Sequence, residues 1–237
     1  MKGVILAGGL GARLFPLTKV TNKHLLPVYN KPMIYYPLET LVNSGIKDIM
    51  ITTGPEHAGE FLRLLENGVE FNVNLTYRLQ KEPLGIAHAL SLVEGYIGKD
   101  NCAVILGDNI FQYPFNREVK NFTGGAHLFL KKVQDPERFG VVSLNEKRIT
   151  SIEEKPENPK SKYAITGFYL YDKTVFDIIR TLKPSSRNEL EITDVNKVYL
   201  ERGKLNYTIL KGYWTDAGTF ESLYKATTLI RRKSLKE

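Results

Sequence analysis

The chain of 237 residues is 42% apolar and 25% charged, carries a formal net charge of +7 and holds one cysteine, Cys102. This length accommodates one large domain or two small ones around a sizeable core, and no apolar run is long enough to span a membrane. A lone cysteine excludes an intrachain disulfide and makes a reducing cytoplasm the default location.

Met1-Lys2-Gly3 is followed by only four apolar residues, Val4 to Ala7. They are too few for a secretory signal and suit a short buried strand. Gly8, Gly9 and Gly11 come directly after it. Glycines just past a strand end let the backbone turn sharply and bring its N–H groups close to a ligand, and such a concavity favours phosphate. Arg13 and Lys23 lie in the same segment, which Pro16 and Pro27 stiffen. Two familiar glycine loops are excluded. Against the dinucleotide pattern G-x-G-x-x-G, Leu14 stands where the third glycine belongs, and residues 12–38 hold no carboxylate to bind a ribose. Against the P-loop pattern, Gly3 and Gly8 have the spacing, but Gly9 and Leu10 replace the lysine and the hydroxyl residue. The segment reads as a polyphosphate site; the competing reading is a glycine-rich surface turn with stray basic residues.

Met33, Ile34, Pro37, Leu38, Leu41 and Val42 then repeat with helical spacing, and Gly45 is placed to stop that helix. Ile49–Thr53, Leu75–Leu79 and Ala103–Leu106 read as strands. Phe61, Leu62, Leu64 and Leu65 predict a helix after Pro55, and Ile86, Ala89, Leu90 and Val93 predict another. Alternating βα units predict a mainly parallel sheet with helices on both faces, and such sheets bind ligands beyond the carboxyl ends of their strands. The glycine loop and Asp108 both follow strands, so both fall on that edge.

The second half is richer in strand pattern, at Ala126–Leu130, Val141–Leu144, Ile149–Ile152, Ala164–Tyr171 and Leu205–Leu210. Residues 153–162 form a polar, proline-containing loop, and Thr174–Leu182, Ile192–Arg202 and Phe220–Ile230 read as helices. His24, His57, His88 and His127 are far apart and in unlike settings, so nothing supports zinc. Basic residues cluster only at Arg231-Arg232-Lys233, and no zinc-finger spacing or RNA-binding aromatic motif occurs. The spread charge reads as a solvated surface that attracts small anions rather than nucleic acid.

The pattern G-G-x-G-x-R-L-x-P-x-T over residues 8–18, followed by Lys23 and Pro27, resembles the signature of the sugar-1-phosphate nucleotidylyltransferases. The resemblance continues in order through Leu25–Tyr29, Pro32–Tyr36, Leu106–Phe111, Asp135–Val142, Glu153–Pro156 and Glu189–Asp194. It implies an α/β fold with a Rossmann-like, mainly parallel sheet, helices on both faces and an inserted β-rich sugar-binding lobe. One domain over 1–237 is expected, with 1–110 mainly binding nucleotide and 111–237 mainly binding sugar phosphate. The implied reaction is in-line attack of a sugar-1-phosphate oxygen on the α-phosphorus of a nucleoside triphosphate, releasing pyrophosphate. Within the family the match is to the branch that uses dTTP and glucose 1-phosphate. UTP is the alternative donor, since a pocket discriminates a single methyl only weakly.

The nucleophile is already an anion and needs no general base, so the obstacle is bringing two polyanions together. The resemblance assigns Arg13 to the β- and γ-phosphates, Lys23 to the α-phosphate, and Asp108 with Asp216 to Mg2+, an ion that takes one or two carboxylates plus phosphate oxygens. These four are the expected catalytic groups; an aspartate capping the next turn or helix is the competing reading of both carboxylates. Leu6, Ala7, Gly8, Gly9, Gly11 and Ala12 complete the implied nucleotide contacts, and Gln80 with the Gly85 backbone would read the base. A carboxamide offers a donor and an acceptor to an imide edge; otherwise Gln80 is an exposed polar residue at a strand end. Asn109, Gly140, Glu154, Lys155, Thr166 and Tyr169 match sugar-phosphate positions, with Lys155 neutralising the incoming phosphate and Glu154 accepting from sugar hydroxyls. Trp214 would stack on the pyranose, or sit in the core.

No Ser/His/Asp or Cys/His arrangement suggests a covalent intermediate. The presence of Arg13, Lys23 and Asp108 argues against a non-catalytic nucleotide-sugar sensor, and Asp108-Asn109-Ile110 lacks the Asp-x-Asp motif of glycosyltransferases. Many family members continue for some tens of residues past the last helix, in a tail that helps build a regulatory nucleotide site and subunit contacts. The sequence ends at Glu237, which leaves second-site control and a homo-oligomer as open expectations.

Overall fold

The computed structural model describes residues 1–235. The first half contains β1 (Lys2–Ala7), β2 (Pro27–Val28), β3 (Lys31–Pro32), α1 (Tyr35–Asn43), β4 (Asp48–Thr53), α2 (Ala58–Leu65), β5 (Asn74–Leu79), α3 (Ile86–Ser91), α4 (Glu94–Ile97) and β6 (Cys102–Leu106). The second half follows with β7 (Asn109–Phe111), α5 (Asn116–Asn121), β8 (Ala126–Lys132), β9 (Gly140–Asn145), β10 (Arg148–Glu154) and β11 (Tyr163–Tyr171). It closes with α6 (Thr174–Thr181), α7 (Ile192–Glu201), β12 (Leu205–Ile209), β13 (Trp214–Asp216) and α8 (Phe220–Ser234). All the strands and helices expected from periodicity form. The additions, β2, β3, α4, β7, α5 and β13, span six residues or fewer, too short for a period to declare itself.

A nine-stranded sheet runs in the order β10-β9-β11-β6-β1-β4-β5, with β8 paired to β11 and β12 to β8. Strands β6, β1, β4 and β5 are parallel neighbours. Strand β11 enters antiparallel beside β6 and carries the β-rich second half as a continuation of the same sheet. Along one edge, β11 pairs with β9 at Tyr163 and Ala164, then with β6 from Phe168 to Tyr171. Between these two pairings lies a fork, and the functional cleft opens there.

Alternate residues of the central strands feed two cores, as the twofold strand period requires. Val4, Leu6 and Val104 pack with Leu90, Ile178 and Val195 on one face, whereas Ile5, Ala7 and Ile105 pack with Leu38, Leu41 and Phe61 on the other. A third cluster joins Leu14, Leu26, Ile110, Ala217, Ala226 and Ile230. It fastens the glycine loop, the segment after Lys23, strand β7 and helix α8 to one another. Arg13, Lys23, Asn109 and Asp216 lie on or directly beside these four pieces.

Candidate active site

The glycine loop is anchored from below. Gly9 and Gly11 have φ of 99° and 62°, backbone conformations that favour residues without a Cβ. The single turn Ala12–Leu14 that follows buries Leu14 completely and leaves Arg13 exposed. Asn22 supplies a second anchor: its Oδ1 accepts from the His24 backbone N–H at 2.9 Å and lies 2.8 Å from His24 Nδ1. His24 is buried against Gly107, where a Cβ would stand 2.7 Å from its ring. Burial and the adjacent Lys23 ammonium push its pKa down to about 3, so the imidazole is neutral at pH 7. Lys23, fixed by this turn, places Nζ 2.6 Å from Asp108 Oδ2.

Asp108 and Asp216 are brought together by the ribbon of β7 and β13, in which Asp216 is paired with Asn109 and the Ala217 N–H donates to the Asp108 carbonyl at 2.9 Å. Gly218 lies among the charged groups. A Cβ there would stand 3.1 Å from Asp108 Oδ2, 3.4 Å from Arg13 Nη2 and 3.6 Å from Asp216 Oδ2. Burial alone would raise the Asp108 pKa, but the Lys23 ammonium beside it holds the carboxyl well below the usual carboxylate range. Neither aspartate caps α8. Thr219 does, through a reciprocal pair of hydrogen bonds with Ser222. Two carboxylates converging on one glycine form an all-oxygen donor set that suits Mg2+, which completes its shell with phosphate oxygens and water. No cluster of three or more His, Cys, Asp or Glu able to hold a metal occurs among the described residues.

The fork in the sheet forms a cavity of about 180 Å³ whose walls include Arg13, Asp108, Asn109, Gly140, Glu154, Lys155, Tyr169, Trp214 and Asp216. Asn109 orders its centre. Its Oδ1 accepts from the Trp214 indole N–H at 2.6 Å and the Gly167 N–H at 3.1 Å, while Nδ2 donates to Asp108 Oδ1 at 2.9 Å. Trp214 is half-buried and lines the cavity. Lys155 has φ of 41° and places Nζ 3.6 Å from Glu154 Oε1. Tyr169 is buried, and burial keeps its phenol protonated. The Thr166 hydroxyl is directed elsewhere: it is fully buried and donates to the Phe129 carbonyl at 2.8 Å.

Leu6 and Ala7 are buried at the end of β1, and the Leu6 carbonyl accepts from the Gly107 N–H at 2.9 Å. Gln80 is buried rather than exposed, with its carboxamide over Gly8, where a Cβ would stand 2.1 Å from its Oε1. Gly85 has φ of 101°, and a Cβ there would meet the Leu190 carbonyl oxygen at 2.5 Å. The loop that would read the base is thus packed on the backbone just before α7.

Several residues of the site received no role from the sequence. Arg187 binds Glu154 and Glu191 at 3.0 and 2.8 Å, the Thr193 hydroxyl donates to Glu154, and Arg138 binds Asp216 at 3.0 Å. Arg138 and Thr193 lie inside quoted blocks and Arg187 two residues before one, but only the fold reveals their partners. Among the described residues Arg13 is the cleft cation without an ion-pair partner, and it is free to meet an anion.

Residues 2–233 match the model of the family described as Nucleotidyl transferase. The chain is 49% identical to the glucose-1-phosphate thymidylyltransferase of Neisseria meningitidis, over 98% of this chain and 83% of that protein. A Bacillus anthracis crystal structure assigned to glucose-1-phosphate thymidylyltransferase, solved with sucrose, superposes with a TM-score of 0.93 at 54% identity, covering 98% of this chain and 95% of that one. UDP-glucose pyrophosphorylase solved with UDP-glucose is more distant, with a TM-score of 0.87 at 26% identity over 98% of both chains.

Proposed function

The chain belongs to the nucleotidyl transferase family, and from that premise we propose that it makes dTDP-glucose and pyrophosphate from dTTP and glucose 1-phosphate. The observation that carries this reading is the convergence of Arg13, Asp108 and Asp216 around Gly218, with Lys23 on Asp108. Relatives named for the dTTP reaction are far more similar than structures of UDP-glucose pyrophosphorylase, which favours thymine over uracil.

The triphosphate lies over the glycine loop, where the N–H groups after β1 and the unpaired Arg13 meet its β- and γ-phosphates. Lys23 transfers from Asp108 to the α-phosphate as negative charge accumulates there. Asp108 and Asp216 would hold Mg2+, whose chemistry there would be neutralisation of charge on the phosphate oxygens. Gln80 and the Gly85 backbone read the base, Lys155 meets the sugar phosphate, and Glu154 accepts from sugar hydroxyls. Asn109 fixes Asp108 and Trp214 relative to each other, so that the sugar face and the reacting phosphates keep one geometry. The phosphate oxygen of the sugar forms the new P–O bond while the bond to pyrophosphate breaks, and no proton has to be removed.

The test is pyrophosphate release with Mg2+, a panel of triphosphates and a panel of sugar 1-phosphates. Fastest release with dTTP and glucose 1-phosphate is expected. Binding without release would refute the enzyme, and a preference for UTP or another sugar would refute the stated substrates.

A further inference from the structure

Arg138 occupies the carboxylate that the proposed function gives to the metal. Its Nη2 donates to both oxygens of Asp216, at 3.0 and 3.3 Å, while Nη1 donates to Asp135 Oδ2 at 2.7 Å. Two carboxylates thus hold one guanidinium in the wall between the catalytic cavity and a neighbouring cavity of about 650 Å³. The guanidinium also lies 5.0 Å from the centre of the Phe139 ring, which packs at 5.1 Å against Trp214.

A carboxylate that accepts from a guanidinium on both oxygens keeps lone pairs for a dication, but the guanidinium charge beside it repels that dication. Lys23 stands in the same relation to Asp108, but a bound phosphate gives Lys23 another partner. Arg138 already has its second partner in Asp135 and can release Asp216 without leaving the cleft.

We propose that Arg138 is a positioning residue: it is the counter-ion that keeps Asp216 aimed into the cleft before metal arrives, and it then cedes that carboxylate to the divalent cation while Asp135 retains it. The inference rests on Asp216 being a metal carboxylate. It follows that the free protein holds the ion weakly and gains affinity once a triphosphate adds its own oxygens.

Mn2+ alone is the probe, with the free ion measured by electron paramagnetic resonance against the full chain and no nucleotide. Arg138→Gln is expected to bind Mn2+ roughly three to five times more tightly than the wild type, the size of a partly exposed ion pair. Lys225→Gln, which removes an exposed cation from the neighbouring cavity, is expected to leave the affinity within about twofold. Unchanged or weaker binding by Arg138→Gln would overturn the proposal, because a merely structural role for Arg138 predicts that direction. Equal tightening in Lys225→Gln would also overturn it, reducing the effect to net charge. Asp216→Asn is expected to lose Mn2+ binding; wild-type binding by that variant would instead refute the metal role of Asp216 itself.

Discussion

Lys23 and Asp108 are 85 positions apart in the chain, yet the ammonium of one lies 2.6 Å from the carboxylate of the other. The pair neutralises a mostly buried carboxylate in the free protein, and under the proposed function it keeps a cation beside the reacting phosphate. Lys23→Met is therefore expected to lower kcat by about a hundredfold to a thousandfold, as removal of a group that stabilises transition-state charge does. It should also lower the melting temperature, because Asp108 is left buried and unpaired. Pyrophosphate release and a thermal melt check the two effects separately.

The contact between Gly8 and Gln80 makes a different prediction. A methyl at Gly8 would stand 2.1 Å from Gln80 Oε1, and the flexible carboxamide has to move away. Gly8→Ala is expected to raise KM for dTTP by about tenfold, the loss of one or two base hydrogen bonds, with a smaller change in kcat. Gln80→Ala should do the same. Because both changes remove one interaction, the double variant should be no worse than the poorer single variant.

Acid stability should report on His24. This histidine titrates near 6.5 when unfolded and at about 3 in the folded chain. Below pH 6.5 the unfolded state binds the extra proton, so the stability present above that value is lost as pH falls towards 3, by up to about 1.4 kcal/mol per pH unit. The melting temperature is expected to drop between pH 7 and pH 5, and His24→Gln should make that drop shallower. His127 shifts in the same direction through burial, so the slope should shrink rather than vanish. The Asp108 contribution is lost only at lower pH, as the solution becomes acidic enough to protonate its depressed carboxyl.

The sheet was legible because its central strands, β1 and β6, are apolar runs, its outer strands β5 and β10 mix apolar with polar residues between turn signals, and its longer helices keep a clear period. The ribbon of β7 and β13 was not legible. Each strand has three residues, and its pairing joins Asp108 to Asp216 across half the chain. Glycine and cation spacing marked residues 8 to 23 as a candidate phosphate loop, but spacing alone could not separate a carboxylate that caps a helix from one that faces the cleft. Thr219 settled that for Asp216 by taking the cap itself. Thr166 shows the opposite limit: its position in β11 was matched, while the direction of its hydroxyl depends on a neighbouring strand. Arg138 and Arg187 each have a carboxylate close by in sequence, Asp135 and Glu191, but the partners that tie them to the site, Asp216 and Glu154, come from other parts of the chain.

The central claim is that Asp108 and Asp216 act as one unit on the reacting phosphates. The direct measurement is pyrophosphate release from dTTP and glucose 1-phosphate by Asp108→Asn, Asp216→Asn and the double variant, with circular dichroism to confirm that each is folded. Each single change is expected to cost about a thousandfold or more in kcat, and the double variant to fall little further, as groups that act together do. Near-wild-type turnover in either folded single variant would contradict the account.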